Sequence, residues 1–455
     1  MSFVVHRVSK NAARYTDAGG REKCGYCRFF VAPRACGKVI GPVSPRGWCK
    51  YFSRQVAQQY SGAGITGGGG PPGKTLDLNF MSSGNMPAGV SFTRASSATY
   101  TDASGAIQTA ATNAPRWDYA SGVLRGLSVE EARTNICQNS GDVSNASWQP
   151  GGGTLPVKTG AQTVSPDGTT TGTRVVYPAV SGAAISVVAP MASFTGTVAP
   201  WTFSVWMRGN TGGERLYICT TPDGALYYRT TCVLTTTWQR FVLTTPNLTA
   251  AAWFWEIGAD LRDAGQSATS AQTVFMWGGQ MEQGAFPTSY IPTTSVAVTR
   301  AVDLPSIQPA NMSPWFTPPG GSWFAEFVCA ALTPNFQRVV YFPPINAATM
   351  IGSDSTAHAF SYDVGPVNAS ANIITANVVT KIASSWAAAT GKICLNAGAV
   401  VTTGGMNNGF SGATSAGIGF MQAATASPEI MSGYLRRVSY WPRALSDTEM
   451  QQVTT

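Results

Sequence analysis

The sequence predicts a mainly β protein in which a small cysteine-rich N-terminal unit precedes two antiparallel β-sandwiches. Charged residues are only 11% of the chain, and the apolar residues arrive as Val, Ile, Phe, Trp and Tyr alternating with small polar ones, the composition of antiparallel sandwiches. Long helical periodicity is almost absent. Four of the nine cysteines fall between Cys24 and Cys49, a segment too short to build an ordinary core. On length alone, 455 residues predict about three domains.

The cysteine segment, CGYCRFFVAPRACGKVIGPVSPRGWC, has the spacing CxxC-x8-C-x12-C. A CxxC pair turns two thiolates toward one centre, and Cys36 and Cys49 supply two more soft ligands for a metal or cluster. Structural zinc ribbons close with a second tight CxxC knuckle, which this spacing lacks. A cluster, zinc, two disulfides and free thiols all stay open on the spacing itself.

The run Ala13-Arg14-Tyr15, Cys24-x-x-Cys27 followed by Phe29 and Phe30, Cys36 with Val39 and Ile40, and Gly47-Trp48-Cys49 resembles a high-potential iron-sulfur protein over about the first fifty-five residues. That resemblance implies one [4Fe-4S] cluster held by Cys24, Cys27, Cys36 and Cys49, with Tyr15 and Trp48 among the residues shielding it; zinc is the alternative occupant. The interval between Cys27 and Cys36 is shorter than in most members of that family.

Net charge is +8, and it is unevenly placed. Residues 1–60 hold eleven Lys/Arg against two acids, a net of +9, so the remainder of the chain stands at −1. The cations offset cluster thiolates or meet an acidic protein surface. No recognition helix or interleaved basic and aromatic pattern accompanies them, so nucleic acid is not the expected partner. The start MSFVVHRVSKNAARY lacks an apolar signal core, and no run of eighteen apolar residues occurs, so the expectation is synthesis in a cytosol and no membrane insertion. Cys137, Cys219, Cys232, Cys329 and Cys394 are scattered singly and read as small buried hydrophobes.

The Gly/Pro stretch SGAGITGGGGPPG marks a linker over 61–74. After it, 75–140 reads as short strands with turn signals at Asp102-Ala-Ser-Gly105 and Ala120-Ser-Gly122. Phe92–Ser96, Ala98–Tyr100, Asp102, Gly105, Pro115, Arg116, Asp118, Tyr119, Gly126, Leu127, Glu130 and Arg133–Asn135 resemble a connector module of tailed-phage virion proteins. Arg94, Arg116 and Arg133 with Asp118, Glu130 and Glu131 are expected to form bidentate ion pairs that pin irregular chain and keep these carboxylates ionised. A catalytic use of the carboxylates is the weaker reading, because acid/base work needs their pKa values split by environment.

Residues 141–303 predict the first sandwich. In WTFSVWMRG, Trp201, Phe203, Val205 and Met207 take one face and Thr202, Ser204, Trp206 and Arg208 the other. The order of its Trp-bearing strands is similar to carbohydrate-binding jelly rolls of phage adhesins. Thr299-Arg300-Ala301 echoes Thr93-Arg94-Ala95, so the closing strand is expected to return beside the opening module. Residues 304–455 predict the second sandwich: SWFAEFVCA, the Ala-Gly-Ala hairpin and the GYLRRVSYWPRALSDTEM ending resemble the concanavalin-like lectin fold, laminin-G-like in outline. Ser446 and Glu449 form a capping box for a short final helix.

Trp206, Tyr228, Trp253 and Trp255 are the candidate sugar-stacking residues, Trp253 and Trp255 sharing one strand face; the competing reading is that each lies in the core. Only His6 and His358 are available for a Ser/His/Asp site, and neither sits near an elbow motif. Glu256, Asp260 and Asp263 lie close enough in sequence for a paired-carboxylate hydrolase, though they suit a loop as well. No catalytic set is expected. The resemblance to phage virion modules implies a structural virion protein of a tailed phage, a capsid decoration spike or fibre. Its basic N-terminal unit docks on capsid, neck or tail, its sandwiches meet host-surface glycan, and its assembly is trimeric by analogy. A polysaccharide-degrading tailspike and an electron carrier are the alternatives.

Overall fold

The computed structural model describes residues 30–31, 35–36 and 71–455, apart from 83, 191–198, 222–225, 248–253, 313–314, 317–319, 333–336, 343–349, 354–357, 363–366, 388–389, 405–413 and 422–428. The protein is mainly β, built from antiparallel sheets with one α-helix among the described residues, Asp447–Val453.

One sandwich consists of two five-stranded sheets. The first has the spatial order Trp148–Gly152, Ile185–Pro190, Phe254–Asp260, Arg215–Thr221, Tyr228–Val233, and the second Val157–Thr163, Gly172–Tyr177, Gln272–Gln283, Trp201–Gly209, Gln239–Thr244. The two-residue alternation in Trp201–Gly209 does what the sequence predicts: Trp201, Phe203, Val205 and Met207 enter the core between the sheets. Trp206 is left on the outer face, half-buried.

The other sandwich is discontinuous in sequence. Its larger sheet runs Val401–Gly404, Thr390–Leu395, Thr380–Ala387, Gly320–Cys329, Gly433–Trp441, Val123–Val129, Trp117–Ala120, with Leu76–Asn79 sharing the free half of Gly433–Trp441. Its seven-stranded partner ends in Ala416–Ile418, Leu304–Ile307 and Val90–Thr93. The segment 75–140, expected as a separate connector, is therefore corrected: Leu76–Asn79, Trp117–Ala120 and Val123–Val129 join the larger sheet of the C-terminal sandwich and Val90–Thr93 the smaller, while Ala98–Thr101 pairs with Ile107–Ala110 in a sheet of their own, and the first sandwich is inserted between this segment and the rest of the C-terminal sandwich. The physical reason is edge pairing. Gly433–Trp441 presents more edge than one short strand can satisfy, so Leu76–Asn79 and Val123–Val129 divide it. Leu76, Leu78, Phe80, Trp117, Leu127 and Val129 then bury in one core with Trp323, Val438 and Tyr440.

The chain returns where the repeated Thr-Arg-Ala predicts. Leu304–Ile307 pairs antiparallel with Val90–Thr93, Leu304 opposite Thr93, and Val298–Arg300 pairs with Arg133–Asn135. The local signals also hold. Asp102 accepts from the Ser104 and Ala106 N–H groups and Gly105 has φ +89°, while Ser446 and Glu449 cap the final helix reciprocally. Cys137, Cys219, Cys232, Cys329 and Cys394 are buried free thiols. Cys219 stands opposite Arg229 and Cys232 opposite Leu216, an offset no disulfide bridges. Among the described residues no helix is long and apolar enough to cross a membrane.

Candidate functional site

At the junction of the two sandwiches a buried charge cluster holds the crossings together. Arg94 Nη1 meets Asp303 Oδ1 at 3.1 Å, Arg116 Nη2 meets Asp303 Oδ2 at 2.5 Å and Glu130 Oε2 at 2.9 Å, and Arg300 lies 3.6 Å from Glu130 and 3.8 Å from Asp303. The Ser289 N–H and O–H donate to the two Glu130 oxygens at 2.7 and 2.6 Å. Burial alone would raise the Glu130 pKa, but Arg300, Arg116 and Ser289 outweigh it and hold the carboxyl well below its ordinary range. Burial likewise opposes the charge of Arg116, and Asp303 and Glu130 more than restore it.

The expected network is thus present with different membership. Arg94, Arg116 and Glu130 belong to it, Arg133 pairs separately with Glu131, and Asp303 and Arg300 are members the sequence did not reveal. Asp118 corrects the expectation outright. It makes no salt bridge among the described residues; Thr101 N–H donates to its Oδ1 at 2.7 Å and Tyr434 O–H to its Oδ2 at 2.9 Å. Burial raises its pKa against those two bonds and the charge of Arg125, while Arg94 and Arg116 are paired with Asp303 and Glu130 instead.

Against this cluster opens a cavity of about 410 Å³, walled by both sandwiches, with Asp118, Arg125, Trp206, Arg240, Tyr290 and Tyr434 in its lining. Trp206 reaches it through a bulge. The pairing of Trp201–Gly209 with Gln272–Gln283 shifts register between Ser204 and Trp206, and Gly278, at φ +69°, makes the turn. A Cβ there would stand 2.7 Å from the Trp206 ring. Trp277 and Tyr290 pack edge-on against Trp206 at 5.6 and 5.5 Å, and the Arg240 guanidinium lies 4.5 Å from its centroid. Arg240 also donates to Ser204 Oγ and, at 2.7 Å, to the Thr288 carbonyl. Arg125 lies 3.9 Å over the Tyr434 ring. Aromatic faces beside arginines and hydroxyls suit a polar, ring-shaped ligand.

Of the predicted stacking residues that are described, only Trp206 lines this cavity. Trp255 is 1% exposed, packs on Phe203 at 5.6 Å inside the first core, and so offers no platform; its strand face continues into Ile257, also fully buried. Tyr228 begins an edge strand of the opposite sheet and packs against the core. Trp253 lies outside the described residues, as do Tyr15, Cys24, Cys27, Trp48 and Cys49; Cys36 ends the two-residue strand Ala35–Cys36, opposite Phe30. Arg125, Arg240 and Tyr434 were not singled out in the sequence. The structure places Arg240 directly across from Trp206 in register.

The carboxylates Glu256, Asp260 and Asp263 do not form an open pair. Asp260 is bound by Arg262 and Asp263 by Arg229, while burial and then Asp260 push the Glu256 pKa up to about 7. Among the described residues, no group of three or more His, Cys, Asp and Glu is placed to hold a metal ion.

No family model matches the chain. A stretch of 46 residues, 10% of the chain, is 43% identical to an iron oxidase of Acidithiobacillus ferrooxidans; the chain spans about half the length of that relative, 51%. Among solved structures, the CBM40 domain of the Ruminococcus gnavus IT-sialidase bound to α2,3-sialyllactose overlaps 30% of this chain and 84% of its own, at 11% identity and a TM-score of 0.27. Domain 4 of AbnA, an extracellular arabinanase from Geobacillus stearothermophilus, in complex with arabinotriose overlaps 38% and 83%, at 12% identity and a TM-score of 0.28. Overlaps at these scores carry no argument about ligand or activity.

Proposed function

We propose that this chain is a structural and adhesive virion protein of a tailed phage, a capsid decoration spike or fibre that binds host-surface glycan at the junction of its two sandwiches. The observation that carries the binding reading is the cavity of about 410 Å³ in which Trp206, Tyr290, Arg125 and Arg240 face one space. Sugars are recognised by aromatic faces together with fixed polar groups, and this cavity brings both together, Trp206, Arg125 and Arg240 from strands and Tyr290 from a loop. What supports binding over turnover at this cavity is Glu130: Ser289 donates to both of its oxygens and Arg116 pairs with Oε2, so it is not a free carboxylate to work with Asp118.

The virion assignment rests on the resemblance of 92–135 to the phage connector module. The basic segment 1–60 would dock on an acidic surface of capsid, neck or tail, and a trimer is the assembly expected by analogy. In that segment Cys24, Cys27, Cys36 and Cys49 would hold a [4Fe-4S] cluster, the donor set of four thiolates being the one such clusters take. The match to an iron oxidase supports iron over zinc. A bound cluster would staple a unit too small to fold on its own core, with Tyr15 and Trp48 shielding it.

The test has two arms. The full chain is applied to an array of bacterial surface polysaccharides with reducing ends assayed in parallel, and antibody to the chain is applied to phage particles. Retention without released ends, and labelled particles, support the reading. Released reducing ends would replace it with a depolymerase, and unlabelled particles would remove the virion role.

A further inference from the structure

We infer that the junction cavity selects an acidic sugar, one carrying a single negative charge that sits on Arg125. The inference rests on the glycan reading and names its ligand class. Three arginines line the cavity, and they are not equivalent. Arg116 is spent on Asp303, Glu130, the Thr99 carbonyl and Ser289. Arg240 gives its Nε and Nη2 to Ser204 and its Nη1 to Thr288, with buried Glu282 also acting on its charge. Arg125 has neither a salt bridge nor a side-chain hydrogen bond among the described residues; its guanidinium lies over the face of Tyr434 at 3.9 Å.

The Tyr434 ring backs the guanidinium on one side. A guanidinium held against an aromatic face keeps its N–H groups in their own plane, a fork that matches a carboxylate or a sulfate ester. Tyr434 is itself fixed, because its O–H donates to Asp118 at 2.9 Å. Asp118, the other lining carboxyl outside the arginine cluster, turns its two oxygens to the Thr101 N–H and the Tyr434 O–H and makes no salt bridge to Arg125 among the described residues, so the guanidinium fork stays open to a ligand. Arg125 is also half-buried, where a charge-assisted bond is stronger than on open surface.

The experiment is calorimetric titration of the full chain with matched trisaccharides on a glucose and on a galactose backbone, each as the neutral sugar, the C6 carboxylate and the C6 sulfate. The expected result is on the order of tenfold tighter binding of an acidic form than of its neutral parent, the worth of one charge-assisted hydrogen bond. Preference for carboxylate or for sulfate identifies the source of the charge. Arg125→Gln should erase the preference and Arg125→Lys restore part of it. Equal affinity for neutral and acidic forms overturns this inference and leaves the glycan reading standing. Failure of every trisaccharide to bind overturns both.

Discussion

Arg116 Nη2 and Asp303 Oδ2 meet at 2.5 Å with both side chains wholly excluded from solvent, and the pair joins the strand entering Trp117–Ala120 to the segment that returns from the inserted sandwich. Asp303 also takes Arg94 and the Glu130 N–H, so one carboxylate ties together four points on the chain counting Arg300. Asp303→Asn leaves Arg94 and Arg116 buried without their counter-charge. It should destabilise the protein by about 3–5 kcal/mol in urea unfolding, the cost of breaking a buried pair. A loss under about 1 kcal/mol, the worth of a surface pair, would show that the cluster does not hold the junction.

Two carboxyls of the junction should respond to pH with opposite sign. Glu130 is depressed in the fold, so its contribution is present above the unfolded value of about 4.3 and is lost as pH falls toward the folded pKa. Asp118 is raised by burial, so its contribution is present below about 3.9 and is lost as pH rises through its folded pKa. Melting temperature against pH should lose its acid limb in Glu130→Gln. In Asp118→Asn it should rise relative to the parent as pH rises toward neutrality. Parallel curves for all three proteins would contradict both assignments.

Gly278→Val tests the bulge that aims Trp206. The substitution forces φ +69° on a β-branched residue, costing at least about 1–2 kcal/mol, and drives a side chain into the indole. The predicted outcome is a displaced tryptophan emission and weakened glycan binding in a protein that still folds. Unchanged emission and affinity would mean that the ring does not depend on this glycine.

Iron and sulfide analysis of anaerobically purified protein checks the N-terminal unit. About four iron and four sulfide per chain are expected for a four-thiolate site. Cys49→Ser should lower both while leaving the unfolding of the sandwiches unchanged. One zinc per chain and no visible absorption would instead assign a zinc-stapled anchor.

What the sequence disclosed was what local spacing determines. The alternation in Trp201–Gly209 separated core from outer face, Ser446 and Glu449 announced the final helix, and the repeated Thr-Arg-Ala foretold the returning strand. Insertion of one sandwich in the other was not legible, because hydropathy says which face of Leu76–Asn79 is buried and not which strand it joins. Asp118 was misjudged for the same reason: its arginine neighbours in sequence are claimed by Asp303, far along the chain. Trp255 was misplaced although Ile257 and Ala259 on its own face already marked that face as core.

The most direct measurement compares Trp206→Ala with Trp255→Ala for glycan retention and for unfolding in urea. Trp255 is core, and its loss should cost about 3–5 kcal/mol. Trp206→Ala should abolish retention of whichever glycan the parent binds while the protein keeps most of its stability. Undiminished retention by a folded Trp206→Ala protein would place the binding site elsewhere and contradict the account of the junction cavity.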